Sequence, residues 1–248
     1  GDANANWIAG DNGVDTLYGY AGDDRLAAGG WSIFNYDNDD DGSSILSSVN
    51  DTNNNDNDVL YGGAGNDSLY GSSGDNTLDG GTGTDTIWSG TGSDTIVIRS
   101  GDGSTTLADA DVLRDFSDGN DVIGLDGIAF DDLTIAQGTG DFASHTLVRL
   151  TSSGEYLLVL QNITVSNITA PDFASTSTDN QTLTGTSADN TLIGGAGNDT
   201  FTTGAGSDQI YAHAGDDSIT VSGKSGSFTD VIDGGAGTDT LTVSYTGV

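Results

Sequence analysis

The chain has no cysteine and no methionine, one proline and one glutamate among 248 residues. The missing cysteine excludes a disulfide framework and thiol chemistry. Basic residues number 5 against 38 acidic ones, for a net charge of −33. Such a chain repels nucleic acid and anionic lipid, so neither is expected as a partner. No run of apolar residues approaches the 18 or so that a membrane-spanning helix needs. No H-E-x-x-H, P-loop or G-x-S-x-G pattern occurs, and the two histidines, His145 and His213, are far apart and read as incidental surface residues. Paired acids serve glycosidases, but acids this numerous and this regular read as ion ligands, so no catalytic residue is assigned and the chain is not expected to be an enzyme. It opens at Gly1 without a signal-peptide pattern and already inside a repeat, and reads as a piece of a longer protein.

What is abundant is aspartate, glycine and asparagine. With Glu155 the only glutamate, 37 of the 38 acids are aspartates, and glycines number 39. High net charge with low hydrophobicity normally predicts disorder. Disordered tails, however, favour Glu, Lys and Pro, which this chain avoids. Aspartate with glycine and asparagine points instead to oxygen-lined turns. Hard cations such as Ca²⁺ take six to eight oxygen ligands from carboxylates and carbonyls. The composition therefore suggests a fold neutralised by bound calcium.

The acids recur with a period of nine. Nonapeptides start at Gly1, Gly10 and Gly19, then at Asn53, Gly62, Gly71, Gly80 and Ser89. A second run starts at Thr176, Gly185, Gly194, Thr203 and Ala212, and after a four-residue slip at Ser225 and Gly234. The eighth position is large and apolar in all fifteen copies: Ile8, Leu17, Leu26, Leu60, Leu69, Leu78, Ile87, Ile96, Leu183, Leu192, Phe201, Ile210, Ile219, Ile232 and Leu241. The sixth is Asp15, Asp24, Asp58, Asp67, Asp85, Asp94, Asp199, Asp208, Asp217, Asp230 and Asp239, with Asn6, Asn76, Gln181 and Asn190 as exceptions. A flexible Gly/Asp linker would not keep an aliphatic column. The loop glycines permit the positive φ of a tight turn, and three residues then form a short strand.

Copies such as GGAGNDSLY (62–70) and GGAGTDTLT (234–242) resemble the repeats-in-toxin, or hemolysin-type, calcium-binding nonapeptide family. The resemblance implies an all-β fold of two right-handed parallel β-rolls, with two nonapeptides per coil. It also implies that each ion lies between a loop and the loop two repeats later, held by the sixth-position aspartates named above. A run of n loops then encloses roughly n − 2 ions, which makes about eleven Ca²⁺ the ceiling here. One inward side chain per nine residues makes a thin core, so folding and calcium binding are expected to be one event.

Two segments depart from the repeat. Residues 28–52 carry Trp31, Phe34 and Tyr36 and then DNDDDG, in which Asp37, Asp39, Asp41 and Gly42 match the start of a D-x-D-x-D-G calcium loop. The EF-hand pattern is not completed, so an ion site and a solvated acidic loop both stay open. Residues 98–175 have an ordinary apolar core. Strands are expected at Val122–Leu125 and Leu133–Ala136, and a hairpin from HTLVRL (145–150) and YLLVLQNI (156–163). The expected organisation is a first roll over 1–97 with its insertion, a β-rich cap or spacer over 98–175, and a second roll over 176–248, with coils of a wider solenoid continuous with the roll as the alternative for 98–175. Asp115, Asp118 and Asp121 read as turn-forming acids first, with a further ion site as the alternative.

For function, the pattern suits a calcium-binding structural module of a secreted, surface-associated protein of the surface-layer or adhesin type. The resemblance brings export by type I secretion and assembly on calcium with it, with self-association or cell-surface polysaccharide as possible partners. The alternative is an accessory module of a secreted protease, lipase or polysaccharide epimerase. Ice binding would need regular Thr and Asn in the loops, which are not there.

Overall fold

A computed structural model of the chain describes residues 1–10, 13–29, 56–224 and 226–244. Asp37, Asp39 and Asp41, with the aromatics beside them, lie outside the described residues. The architecture is all-β with a few single-turn 3₁₀ segments.

The repeat dictates the strands. Each eighth-position residue is the second residue of a short strand, and strands 18 residues apart pair in parallel and in register. Leu60 aligns with Leu78, Leu78 with Ile96, Leu69 with Ile87, and Phe201 with Ile219. Successive nonapeptides therefore alternate between two facing sheets. In the first roll one sheet runs Thr16–Ala21, Val59–Ala64, Thr77–Thr82, Thr95–Arg99, Val122–Asp126, Phe173–Ser175. The opposite one runs Trp7–Ala9, Arg25–Ala27, Ser68–Tyr70, Thr86–Trp88, Val112–Leu113 and then the strands Tyr156–Leu160, Thr146–Leu150 and Leu133–Gln137. Across the insertion, Leu17 pairs with Leu60 and Leu26 with Leu69. The separation there is 43 residues instead of 18, so 25 residues are accommodated without loss of register.

A column of side chains pointing inward from both sheets makes the core. Leu26, Leu60, Leu69, Leu78 and Ile96 are fully buried and belong to one cluster with Leu113, Ile123 and Phe173. The second roll has a smaller core of Phe201, Ile210, Ala212 and Ile219. Its outermost strands, Val231–Asp233 and Thr240–Val243, leave Val231, Leu241 and Val243 exposed. Stacking demands glycine at certain turns. Gly83 has φ +143°, and a Cβ there would lie 1.7 Å from the Gly65 carbonyl oxygen of the coil below.

The strands of 98–175 build on the same sheets. Val112–Leu113 and Val122–Asp126 add parallel strands, whereas Leu133–Gln137, Thr146–Leu150 and Tyr156–Leu160 pair antiparallel, with Leu147 opposite Val159. Polar groups join this part to the second roll. Ser175 N–H donates to the Gly194 carbonyl at 2.8 Å, and Asp131 accepts from Asn190 and from the Thr191 N–H. His213 is not an incidental surface residue. It is half-buried at φ +70°, and its Nε2 lies 2.8 Å from the Phe173 carbonyl oxygen, tying the last strand of the first sheet to the second roll. His145 is half-buried too, with Nδ1 accepting from the Asn162 N–H.

Candidate metal centres

The turn preceding each strand presents the sixth-position residue inward, one residue before the strand begins. Parallel stacking in register places these residues above one another at each side of the roll. A hydrogen-bond ladder follows. The Asp24 N–H donates to Asp67 Oδ1 at 2.6 Å, the Asp67 N–H to Asp85 Oδ1 at 2.7 Å, and the Asp199 N–H to Asp217 Oδ1 at 2.6 Å. Asp15 donates to Asp58, Asp208 to Asp230, and Asp217 to Asp239 in the same way. The neutral members join the ladder as well: Asn6 N–H reaches Asp24, Asn76 N–H reaches Asp94, and Gln181 N–H reaches Asp199.

One carboxylate oxygen of every accepting rung is used by that ladder. The other is the point of interest. Oδ2 of Asp15, Asp24, Asp67, Asp85, Asp94, Asp217 and Asp230 is buried and accepts no hydrogen bond. A buried carboxylate oxygen without a donor costs several kcal/mol, by order of magnitude, unless a cation meets it. Burial accordingly pushes the carboxyls up, to about 6 for Asp67, about 7 for Asp85 and about 7 for Asp94, with the neighbouring column acids adding to the rise. Desolvation raises Asp217 as well.

Loop 71–76 shows what else faces that oxygen. Here the sixth residue is Asn76, and its Nδ2 donates to the carbonyls of Gly71 at 2.9 Å and Gly74 at 3.1 Å. The first and fourth carbonyls of the loop therefore converge on the place where an aspartate puts Oδ2. Among the described residues no group of three or more acidic or His side chains is gathered as a metal cluster. The donor set is one carboxylate per loop with backbone carbonyls, all oxygen, which is the chemistry a hard divalent cation takes. The chain belongs to the RTX calcium-binding nonapeptide-repeat family. That family's profile matches residues 1–30, 52–87, 61–96, 70–104, 177–220 and 225–243, more than half of the chain. Among solved structures, the RTX chain is similar to the solution structure of the AlgE6R3 subunit from the Azotobacter vinelandii mannuronan C5-epimerase. The two are 24% identical with a TM-score of 0.40, over 48% of this chain and 72% of that one. No curated protein matches the sequence.

The RTX column extends past the nonapeptides. Asp111 Oδ1 accepts from the Asp85 N–H at 2.8 Å, and Asp121 Oδ1 from the Asp94 N–H at 3.2 Å. Asp111 is pushed up to about 8 by burial and by Asp85, and burial raises Asp121. Asp121 thus stands in the ladder rather than in a simple turn. Its Oδ2 is satisfied by the Ser117 N–H and Ser89 hydroxyl, and Asp115 caps the Ser89 and Gly90 N–H groups. The missed signal is the triplet D-V-L at 111–113 and D-V-I at 121–123, which keeps aspartate two residues before the buried aliphatic although the nonapeptide spacing is gone.

The remaining sixth-position acids differ in how they are met. Asp24, Asp58, Asp67, Asp85, Asp94, Asp199, Asp208 and Asp217 are buried, Asp15 and Asp230 half-buried, and Asp239 in the last loop exposed. Asp199 Oδ2 accepts from the Gly195 N–H at 3.1 Å. Beside the first column, half-buried Arg99 pairs with the buried Asp79, with Asp102 and with the exposed Asp126.

Proposed function

We propose that this chain is a calcium-dependent structural module of a secreted cell-surface protein of the surface-layer or adhesin kind, without catalysis of its own. The observation that carries the reading is the column of buried aspartates, in which Asp24, Asp67, Asp85, Asp94 and Asp217 spend Oδ1 on the ladder and leave a buried Oδ2 without a donor. The ligands in this reading are Asp15, Asp24, Asp58, Asp67, Asp85, Asp94, Asp199, Asp208, Asp217, Asp230 and Asp239, and Asp111 and Asp121 prolong the first column. Bound calcium would supply the positive charge that lets like-charged rungs stack.

Counting nonapeptide loops gives about eleven ions at most, which would bring the −33 charge to about −11 and permit close packing with neighbours. Extracellular calcium modules bind at ~10⁻⁴–10⁻³ M, far above cytosolic free calcium, so the chain would leave the cell unfolded and fold outside. The proposed organisation is a roll over 1–97, a β-rich segment over 98–175 that continues both its sheets, and a second roll over 176–248. Assembly is supported by the exposed aromatics on the outer face of the first roll. Tyr18 stacks on Tyr61 at 5.0 Å and on Tyr20 at 5.8 Å, and all three rings are exposed. The open strands at Val231–Asp233 and Thr240–Val243 offer an edge to a further coil or copy.

Circular dichroism of the chain in chelator, then with Ca²⁺ or Mg²⁺ restored, tests the module. The β signal should vanish, return with Ca²⁺ and stay absent with Mg²⁺, which keeps its water shell. An unchanged spectrum in chelator defeats the reading. Stripping calcium from intact cells tests the assembly, which should release the protein from the surface.

A further inference from the structure

We propose that Lys224 is a built-in cation of the second roll, its ammonium taking the place of one calcium ion between the turn that ends at Asp208 and the turn that ends at Asp230. The inference rests on the reading that the other loops hold calcium.

Three contacts define the position. Lys224 Nζ donates to the Gly206 carbonyl at 2.8 Å, to Asp208 Oδ2 at 2.6 Å and to Asp230 Oδ1 at 2.9 Å. Gly206 and Asp208 are the fourth and sixth residues of one loop, and Asp230 is the sixth residue of the loop two repeats on, stacked on it through the Asp208 N–H. Carboxylate and loop carbonyl are the oxygen types a calcium ion takes. Asn76 marks the same place with its amide, bonded to the fourth-position carbonyl of its own loop. Asp208 Oδ2 thus meets a side-chain cation, where Oδ2 of Asp24, Asp67, Asp85, Asp94 and Asp217 is left unpartnered.

The lysine is placed for this by the sequence. It is the chain's only lysine, and it is the last residue of the four-residue slip at 221–224 that interrupts the second run. The side chains of Lys224 and Asp208 are 1% and 0% exposed, so the ammonium lies inside the roll. An ammonium so buried is tolerated only with compensating charge and a full set of acceptors. Two carboxylates and a carbonyl supply both, and three donors match three acceptors. A second cation within bonding distance of the same oxygens would be strongly repelled.

Calcium bound per chain at saturation, by equilibrium dialysis with elemental analysis, tests this on the 248-residue chain and on Lys224→Gln and Lys224→Met. Each variant is expected to bind one more equivalent than the unaltered chain. Equal, non-zero numbers overturn the lysine assignment alone; no calcium on any of the three overturns the calcium reading and the proposal with it. Should the variants not fold, acylation of the unaltered chain decides, because an amine-reactive reagent meets a single lysine. With calcium bound, Lys224 should react at least about tenfold more slowly than in the chelated chain. Rapid acylation of the calcium-loaded, folded protein would mean that calcium expels the side chain, and overturns the proposal.

Discussion

In loop 71–76 the Asn76 amide donates to the Gly71 carbonyl at 2.9 Å, whereas in loop 80–85 the corresponding oxygen of Asp85 has no donor. One loop geometry is thus closed by an internal hydrogen bond in the first case and calls for a cation in the second. Exchange of the two residues should exchange the behaviour. Asp85→Asn keeps the Oδ1 that accepts from Asp67 and gains a donor for the loop carbonyls. It should stabilise the calcium-free chain by about 1–3 kcal/mol and cost one ion. Asn76→Asp should do the reverse. Urea unfolding with and without calcium, beside ion counts, checks both.

Raised carboxyl pKa values set the pH dependence of the calcium-free fold. Asp67, Asp85, Asp94 and Asp111 stand at about 6, 7, 7 and 8 against an ordinary 3.8. Between these values the fold binds more protons than the unfolded chain, so its stability falls as pH rises. That contribution is complete below about pH 4 and is lost as pH passes through 6 to 8. Dialysed free of calcium, the protein should show more β signal at pH 5 than at pH 8. Calcium affinity should run the other way, because ions displace those protons. A calcium-free β signal that grows towards pH 8 would contradict this.

Core truncations should separate the middle of a roll from its end. Leu69 is fully buried between coils, while Leu241 is 54% exposed in the outermost strand. With calcium saturating, Leu69→Ala should cost ~2–5 kcal/mol, and Leu241→Ala less than about 1 kcal/mol. Chemical denaturation midpoints give the comparison.

Gly83→Ala should break the stack locally. Its φ of +143° is unfavourable for alanine, and the new Cβ would meet the Gly65 carbonyl oxygen of the coil below. A cost of ~1–3 kcal/mol from the backbone alone is expected, with the clash added. Hydrogen exchange should show lost protection at Gly65 N–H, which bonds to the Thr82 carbonyl.

The nonapeptide repeat and the family it resembles were enough for the parallel β-roll and for the register of its aspartate column. The period puts one apolar and one acidic residue in each repeat, and the coil of two repeats that the resemblance implies stacks Leu60 on Leu78 and Asp67 beside Asp85. Strands 18 residues apart are neighbours by local repetition, and local repetition is written in one dimension. What needed the tertiary structure lies where repetition stops. Asp111 and Asp121 join the column at separations of 26 and 27 residues, spacings that no period announces. His213 read as incidental because its partner, the Phe173 carbonyl, is 40 residues away and belongs to the backbone. Lys224 looked like part of a slip in the repeat. Only folding brings its ammonium to Asp208 and Asp230, because the path of four inserted residues is set by the coils they join and not by their own sequence.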